Sequence, residues 1–368
     1  MIIDSIEIYR VNMPLIYPFR TAFGNDAEIE SVLVKLTGGA QYGWGESSPW
    51  AAPAYSAEWA AGEFILLRDW FAPRMSGQDI SSSEHLQDIL SIFKGNPFAK
   101  AALDLAWWDL YAKQRGEPLW RVLGGKSDCV EVGADFGIME SIDLLLETIQ
   151  GAQDAGFKRV KLKYRPGWEL DMIAAVRRRF PDMVFHVDCN SAYRLENRAM
   201  LKALDEYNLA MIEQPLAHDD LLDHAKLQRE LRTPICLDES IISLAKLEQA
   251  IELGACKWVN IKHGRVGGIT NALAIHNRCQ RAGIPVWIGG MLESAVGQAH
   301  SIALATLPNV KYPSDIFPTS RFYTQDLGQP EVVLSAPSEM RAVDAPGIGV
   351  EPNPEKLREM MVESVRVR

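Results

Sequence analysis

Five charged residues, each closing a short apolar run, recur at nearly constant spacing through the middle of the chain. VKLK ends at Lys163, VFHVD at Asp188, AMIE at Glu213, PICLD at Asp238 and WVNIK at Lys262, with steps of 25, 25, 25 and 24 residues. One strand, one crossover helix and two short loops consume about that much chain, so the regular step reads as repeated βα units. Successive parallel strands point the same way. Charges at their C-terminal ends therefore converge on one face of a sheet or barrel, where two lysines would flank three carboxylates.

Extending the count outward gives eight short apolar strands. They are CVEVGA (129–134), FKRVKLK (157–163), MVFHVDCN (183–190), LAMIEQP (209–215), TPICLDES (233–240), CKWVNIK (256–262), IPVWIGG (284–290) and VKYP (310–313). Most are followed by stretches with helical periodicity, at 139–156, 167–181, 195–207, 219–231, 243–253, 268–282 and 294–306. Eight such units fit a closed β/α barrel better than an open sheet. GRVGG at 264–268 lacks phosphate-loop spacing and reads as a strand-to-helix turn.

The barrel is preceded by something different. Residues 2–13, 29–38 and 41–49 read as antiparallel strands, with an unusually apolar loop at 14–28. Helical periodicity then holds from about 56 to 123, with Ser83 a possible start and Gly116 a possible end of helices. We expect an α+β capping domain over 1–123, completed by about 321–368, and a barrel over 124–320.

Composition narrows the partners. With 38 Lys and Arg against 48 Asp and Glu, the net charge is −10, which disfavours nucleic acid or an anionic membrane as partner. It allows an anionic small molecule, since a bound divalent ion can reverse the local field. No run approaches the roughly 18 apolar residues of a membrane span. The five cysteines (129, 189, 236, 256, 279) are scattered and form no CxxC, so neither a disulfide framework nor a thiolate zinc site is expected. A reducing cytoplasm is the default expectation, and self-association is expected of an acidic barrel this size.

Asp188, Glu213 and Asp238 each follow a hydrophobic strand, where a lone buried carboxylate is costly. Singly they could be helix caps or surface acids. Together, evenly spaced between two lysines, they point to a hard divalent cation, Mg2+ or Mn2+. Asn190 and Gln214 stand where they could hydrogen-bond to such ligands, and Glu239, facing away from Asp238, supports from behind. Lys161 and Lys163 share a strand face. Each ammonium should lower the other's pKa, with Lys161 tuning and Lys163 transferring the proton. Lys262, on the sixth strand, faces the second across the barrel. Metal-stabilised removal of a proton α to a carboxylate follows, ending in racemisation or β-elimination. His186 is expected as a packed interior residue.

KLK at 161–163, VDCNSAY at 187–193, IEQP at 212–215, CLDES at 236–240, NIKHGRVGG at 260–268 and IGGMLES at 288–294 together resemble the enolase superfamily. Within it they resemble the o-succinylbenzoate synthase / N-acylamino acid racemase branch. PFRTAFG at 18–24 and GWGES at 43–47 extend the resemblance over essentially the whole chain. The resemblance implies an α/β fold: a modified TIM barrel, (β/α)7β, with an α+β capping domain. It implies Mg2+ at Asp188, Glu213 and Asp238, and Lys163 and Lys262 as the acid/base pair. Lys163 would act in the dehydration that makes o-succinylbenzoate for menaquinone synthesis, while in racemases both lysines exchange the α-proton of an N-acylamino acid. Phe19 and Phe23, in a loop over the substrate, and Asp135, Met291 and Glu293 would line its pocket. Cys189, His263, Ser294, Ala295 and Gln298 depart from the familiar pattern, mostly near substrate contacts. GGMLES lacks the acidic motif of a dipeptide epimerase. Muconate cycloisomerase and a catalytically idle barrel remain as further alternatives.

Overall fold

The computed structural model describes residues 1–20 and 24–368. Its first layer is an antiparallel sheet. Ser5–Arg20 pairs with Asn25–Gly38, which pairs with Gln41–Ser47. On the other edge Ser5–Arg20 pairs with Met361–Val367, so the C-terminal strand rejoins the N-terminal sheet. The expected loop at 14–28 is largely strand. The first hairpin extends to Arg20, with its register broken between Pro14 and Phe19, where Pro14 lacks the amide proton a regular ladder needs. Phe23 lies outside the described residues.

The long helix Pro97–Arg115 lies across this sheet. It ends at Gly116, whose left-handed backbone (φ 69°) closes the last turn. Gly43 and Gly45 face it so closely that a Cβ on either would meet helix backbone at 2.3 Å. Trp107 is buried, whereas its neighbour Trp108 reaches the barrel, its indole N–H donating to Thr270 Oγ1 at 3.0 Å. Ser82, one residue before the expected Ser83, caps Ser83–Leu90 by accepting from the amide of His85.

Seven parallel strands follow: Ala134–Phe136, Arg159–Lys163, Val184–Asp188, Ile212–Glu213, Ile235–Leu237, Trp258–Ile261 and Val286–Ile288, hydrogen-bonded in that order. The eighth is reduced to two parallel bridges, Val286 with Val310 and Val132 with Ser314, which close the ring. The first strand is displaced from its expected position. Cys129–Glu131 pairs antiparallel with Glu339–Arg341, and the barrel strand begins at Ala134. Alternation alone cannot separate two short strands divided only by Val132 and Gly133. Between the barrel and the final strand, Gly328–Gln329 pairs with Glu351–Pro352, so only part of 321–368 joins the N-terminal sheet.

Helices cover the outside of the barrel. Ser141, Asp220, Ser243 and Ser294 each cap one through a side-chain oxygen. No helix among the described residues is long and apolar enough to cross a membrane. All five cysteines are free.

Candidate active site

Strand register places the ladder. Asp135, Lys161 and His186 are register partners on the first three barrel strands. One step further along, Lys163, Asp188 and Glu213 are partners on the second, third and fourth. Asp238 follows the fifth strand and Lys262 the sixth. Several residues just past these strands adopt left-handed backbone although none is glycine: Asn190 (φ 42°), Ser191 (φ 63°), Gln214 (φ 38°) and Leu292 (φ 61°). Such strain persists only where surrounding contacts fix it, and it concentrates at functional sites.

Lys163 Nζ lies 2.8 Å from both Asp188 Oδ2 and Asn190 Oδ1. Lys161 Nζ lies deeper, 3.0 Å from Asp188 Oδ2, 3.0 Å from Glu213 Oε2 and 3.1 Å from Asp315 Oδ2. Burial opposes the Lys161 charge, but Asp188, Glu213 and Asp315 outweigh it and hold the ammonium well above the ordinary lysine range. These carboxylates outweigh the lowering of Lys161 expected from its neighbour Lys163. Burial likewise opposes the Asp188 charge, and Lys161 and Lys163 hold that carboxyl far below its usual range. Lys262 Nζ stands 3.1 Å from Asp238 Oδ2 and 3.6 Å from Met291 Sδ.

A second tier fixes these groups. Gln214 Oε1 accepts from the amides of Asp238 and Ser240 at 3.0 and 3.2 Å, tying the ends of the fourth and fifth strands. Asn190 Nδ2 donates to Glu239 Oε1 at 3.1 Å, and burial pushes the Glu239 carboxyl up to about 7. Asn260 Nδ2 donates to Glu213 Oε1 at 2.7 Å, and its side chain leaves no room for a Cβ on Gly289. His186 is interior, as expected: Nε2 is 3.4 Å from Glu213 Oε2 and Nδ1 is 3.1 Å from the Tyr312 hydroxyl.

Three further residues were not legible in the sequence. Asp315, beyond the last bridge, pairs with buried Arg159 at 2.7 Å as well as with Lys161. Arg265, in the turn after Lys262, pairs with Asp238 and donates to the carbonyls of Ile241 and Asn260 at 3.0 and 2.5 Å. Tyr55 comes from the N-terminal part of the chain, and its hydroxyl is 3.1 Å from Asp238 Oδ1. An arginine in a glycine-flanked turn was the one available hint, for Arg265. Nothing in the spacing marks the other two.

Lys161, Lys163, Lys262, Asp135, Asn190 and Met291 line one small cavity of about 40 Å³, together with Phe19, Trp50, Tyr55, Leu292, Asp315 and Phe317. Glu293 is not on its wall, contrary to expectation. Its Oε2 accepts from the amide of Met291 at 2.7 Å and so shapes the turn that carries Met291. A larger cleft of about 420 Å³ lies on the far side of Phe19, lined by Tyr17, Met139, Leu144, Arg321 and Phe322 among others. It holds none of the lysine–carboxylate pairs.

The buried oxygens Glu213 Oε2, Asp238 Oδ2 and Glu239 Oε2 accept no well-aligned hydrogen bond, although ammonium groups stand 3.0–3.1 Å from the first two. Carboxylate oxygens of this kind suit a hard divalent cation, so Asp188, Glu213 and Asp238 fit one by donor chemistry. Lysine and arginine side chains neutralise them here, and among the described residues no three acidic, imidazole or thiol side chains are grouped tightly enough to form a ligand cluster.

The chain matches known proteins along nearly all of its length. The family description "Mandelate racemase / muconate lactonizing enzyme, N-terminal domain" matches residues 4–124, and "Enolase C-terminal domain-like" matches 145–356. The chain is 45% identical over 350 residues to an N-succinylamino acid racemase of Thermus thermophilus, covering 95% of each protein. It is also 45% identical over 348 residues to an o-succinylbenzoate synthase of Geobacillus stearothermophilus, covering 94% of this chain and 92% of the relative. A solved enolase-superfamily structure from Listeria innocua superposes with a TM-score of 0.96 at 34% identity, covering 100% of this chain and 99% of the other.

Proposed function

The chain belongs to the enolase superfamily, with both domains of its mandelate racemase / muconate lactonizing enzyme family, and from that membership we propose an enzyme that removes the proton α to a carboxylate to make o-succinylbenzoate. Its substrate would be 2-succinyl-6-hydroxy-2,4-cyclohexadiene-1-carboxylate. The observation that carries this reading is that Lys163 and Lys262 line the same cavity, beside the buried carboxylates Asp188 and Asp238.

Superfamily members generally use Mg2+. Asp188, Glu213 and Asp238 would hold it, with Mn2+ a possible substitute, and it would stabilise negative charge developing on the substrate carboxylate. Lys163 takes the α-proton, leaving the C–H electron pair in an enediolate. That pair then forms the new C=C bond as the neighbouring C–O bond breaks, and hydroxide leaves as water with the proton held by Lys163. Lys262 balances the negative charge from the other side of the cavity. Phe19, Leu292 and Phe317 exclude water from the reacting carbon.

N-succinylamino acid racemisation is the second reading, favoured by relatives such as the Thermus protein and by a lysine at each end of the ladder. One lysine would remove the α-proton and the other would return a proton to the opposite face. We place the reaction in the reducing cytoplasm, consistent with five free cysteines. The partners we propose are a small carboxylate and further copies of this chain, with nucleic acid and membrane disfavoured by the net charge of −10. The test is direct. Purified protein should convert the cyclohexadiene with Mg2+, lose that activity to a chelator and regain it on adding metal. No turnover with metal present would reject the dehydratase reading. An absence of α-deuterium exchange with N-succinylamino acids in D2O would reject the racemase reading.

A further inference from the structure

Lys163 and Lys262 are held in different ways. The two oxygens 2.8 Å from Lys163 Nζ belong to Asp188 and Asn190, both at the end of the third barrel strand. Lys262 Nζ pairs with Asp238 Oδ2 at 3.1 Å and, unlike Lys163, also donates to an N-terminal residue, the hydroxyl of Tyr55 at 3.2 Å, lying 4.5 Å from the centre of the Tyr55 ring. That hydroxyl also receives Arg265 Nη1 at 3.2 Å and donates to Asp238 Oδ1 at 3.1 Å. A phenol has one proton and two lone pairs, which suits it to donate to Asp238 while accepting from Lys262 and Arg265.

The segment that brings Tyr55 in is anchored on both sides. Before it, the Trp50 indole N–H donates to the Met291 carbonyl at 2.9 Å. After it, the Glu58 carboxylate accepts from the amides of Phe98 and Ala99, both at 3.0 Å. The ring is braced by Phe98, edge-on at 6.4 Å, and by Trp50 at 6.3 Å.

We infer that Tyr55 is a positioning residue for Lys262, so that the N-terminal domain shares with the barrel in holding one of the two acid/base groups, while barrel residues hold the other. The inference rests on the proposed two-lysine chemistry. Its consequence is asymmetric. Removing the Tyr55 hydroxyl loosens proton transfer on the Lys262 face and leaves the Lys163 face intact.

Tyr55→Phe keeps the ring and removes only the hydroxyl. The two enantiomers of N-succinylphenylalanine are each incubated in D2O with Mg2+-loaded wild-type and variant protein, and α-deuterium incorporation is followed. Exchange from the enantiomer served by Lys262 should fall roughly tenfold to a hundredfold, and the other should stay within about twofold. In parallel, Mg2+-loaded protein is lightly acetylated with acetic anhydride and the peptides are quantified by mass spectrometry. Acetylation of Lys262 relative to Lys163 should change in the variant. Equal slowing of both enantiomers, or no slowing of either, with an unchanged labelling ratio would overturn the inference. If wild-type protein exchanged neither enantiomer, the racemase reading would fall, and the labelling ratio would still decide whether Tyr55 holds Lys262.

Discussion

Lys161 and Lys163, two residues apart on one strand, both reach Asp188 Oδ2, at 3.0 and 2.8 Å. They differ in what else they touch. Lys161 also neutralises Glu213 and Asp315, whereas Lys163 turns to the neutral amide oxygen of Asn190. The deeper lysine is thus the counter-charge of the carboxylate cluster, and the outer one is free to meet substrate.

Replacing Lys161 with methionine should therefore act mainly on stability. It leaves Asp188, Glu213 and Asp315 buried with one cation fewer, a situation that costs about 3–5 kcal/mol when a buried pair is broken. Urea unfolding of the metal-free protein should show a loss of that order. A loss below about 1 kcal/mol, as for exposed ion pairs, would contradict the assignment.

Gln214→Ala should weaken metal binding without removing a ligand. Gln214 Oε1 holds the amides of Asp238 and Ser240, and loss of such supporting contacts typically costs about 10–100-fold in metal affinity. Activation of the variant by Mg2+ should need a correspondingly higher concentration, with activity restored at saturation.

The contact between the two domains should make stability fall as pH rises through neutrality. Glu46, on the third strand of the N-terminal sheet, accepts from the amides of Ser294 and Gly297 at 3.0 and 2.9 Å, at the start of the helix Ala295–Ala305. Burial pushes its carboxyl from 4.5 up to about 7 despite those bonds. Between those values the folded state binds more protons than the unfolded one. The favourable contribution is therefore complete below the unfolded value and is lost as pH rises through about 7. The full effect is on the order of 3 kcal/mol. Thermal unfolding of Glu46→Gln should show a flatter pH profile between about pH 5 and pH 8 than wild type. An unchanged slope would place the titrating group elsewhere.

The ladder was legible because a carboxylate or lysine ending an apolar strand has few physical explanations, and even spacing removes most of them. A closed β/α barrel followed from the same rhythm, and its (β/α)7β form from the enolase-superfamily resemblance. What escaped notice sits where rhythm is missing. Asp315 follows a strand reduced to bridges, Tyr55 arrives from another domain, and Arg265 hides in a glycine-flanked turn. Glu293 was expected on the pocket wall because it lies in the motif after the seventh strand. Its side chain instead turns back to the amide of Met291, a local contact that spacing cannot reveal. The strand through Arg20 was read as a loop because two prolines and a glycine outweighed its pairing with Asp26 and Asn25.

Turnover of the cyclohexadiene by Lys163→Ala, with Mg2+ saturating and the fold verified by circular dichroism, is the decisive measurement of whether Lys163 moves the α-proton. A positioned general acid/base contributes about 10²–10⁴-fold, so the rate should fall by at least about a hundredfold while metal binding persists. A variant that turned over within about threefold of wild type, well inside the acid/base contribution, would contradict the role assigned to Lys163.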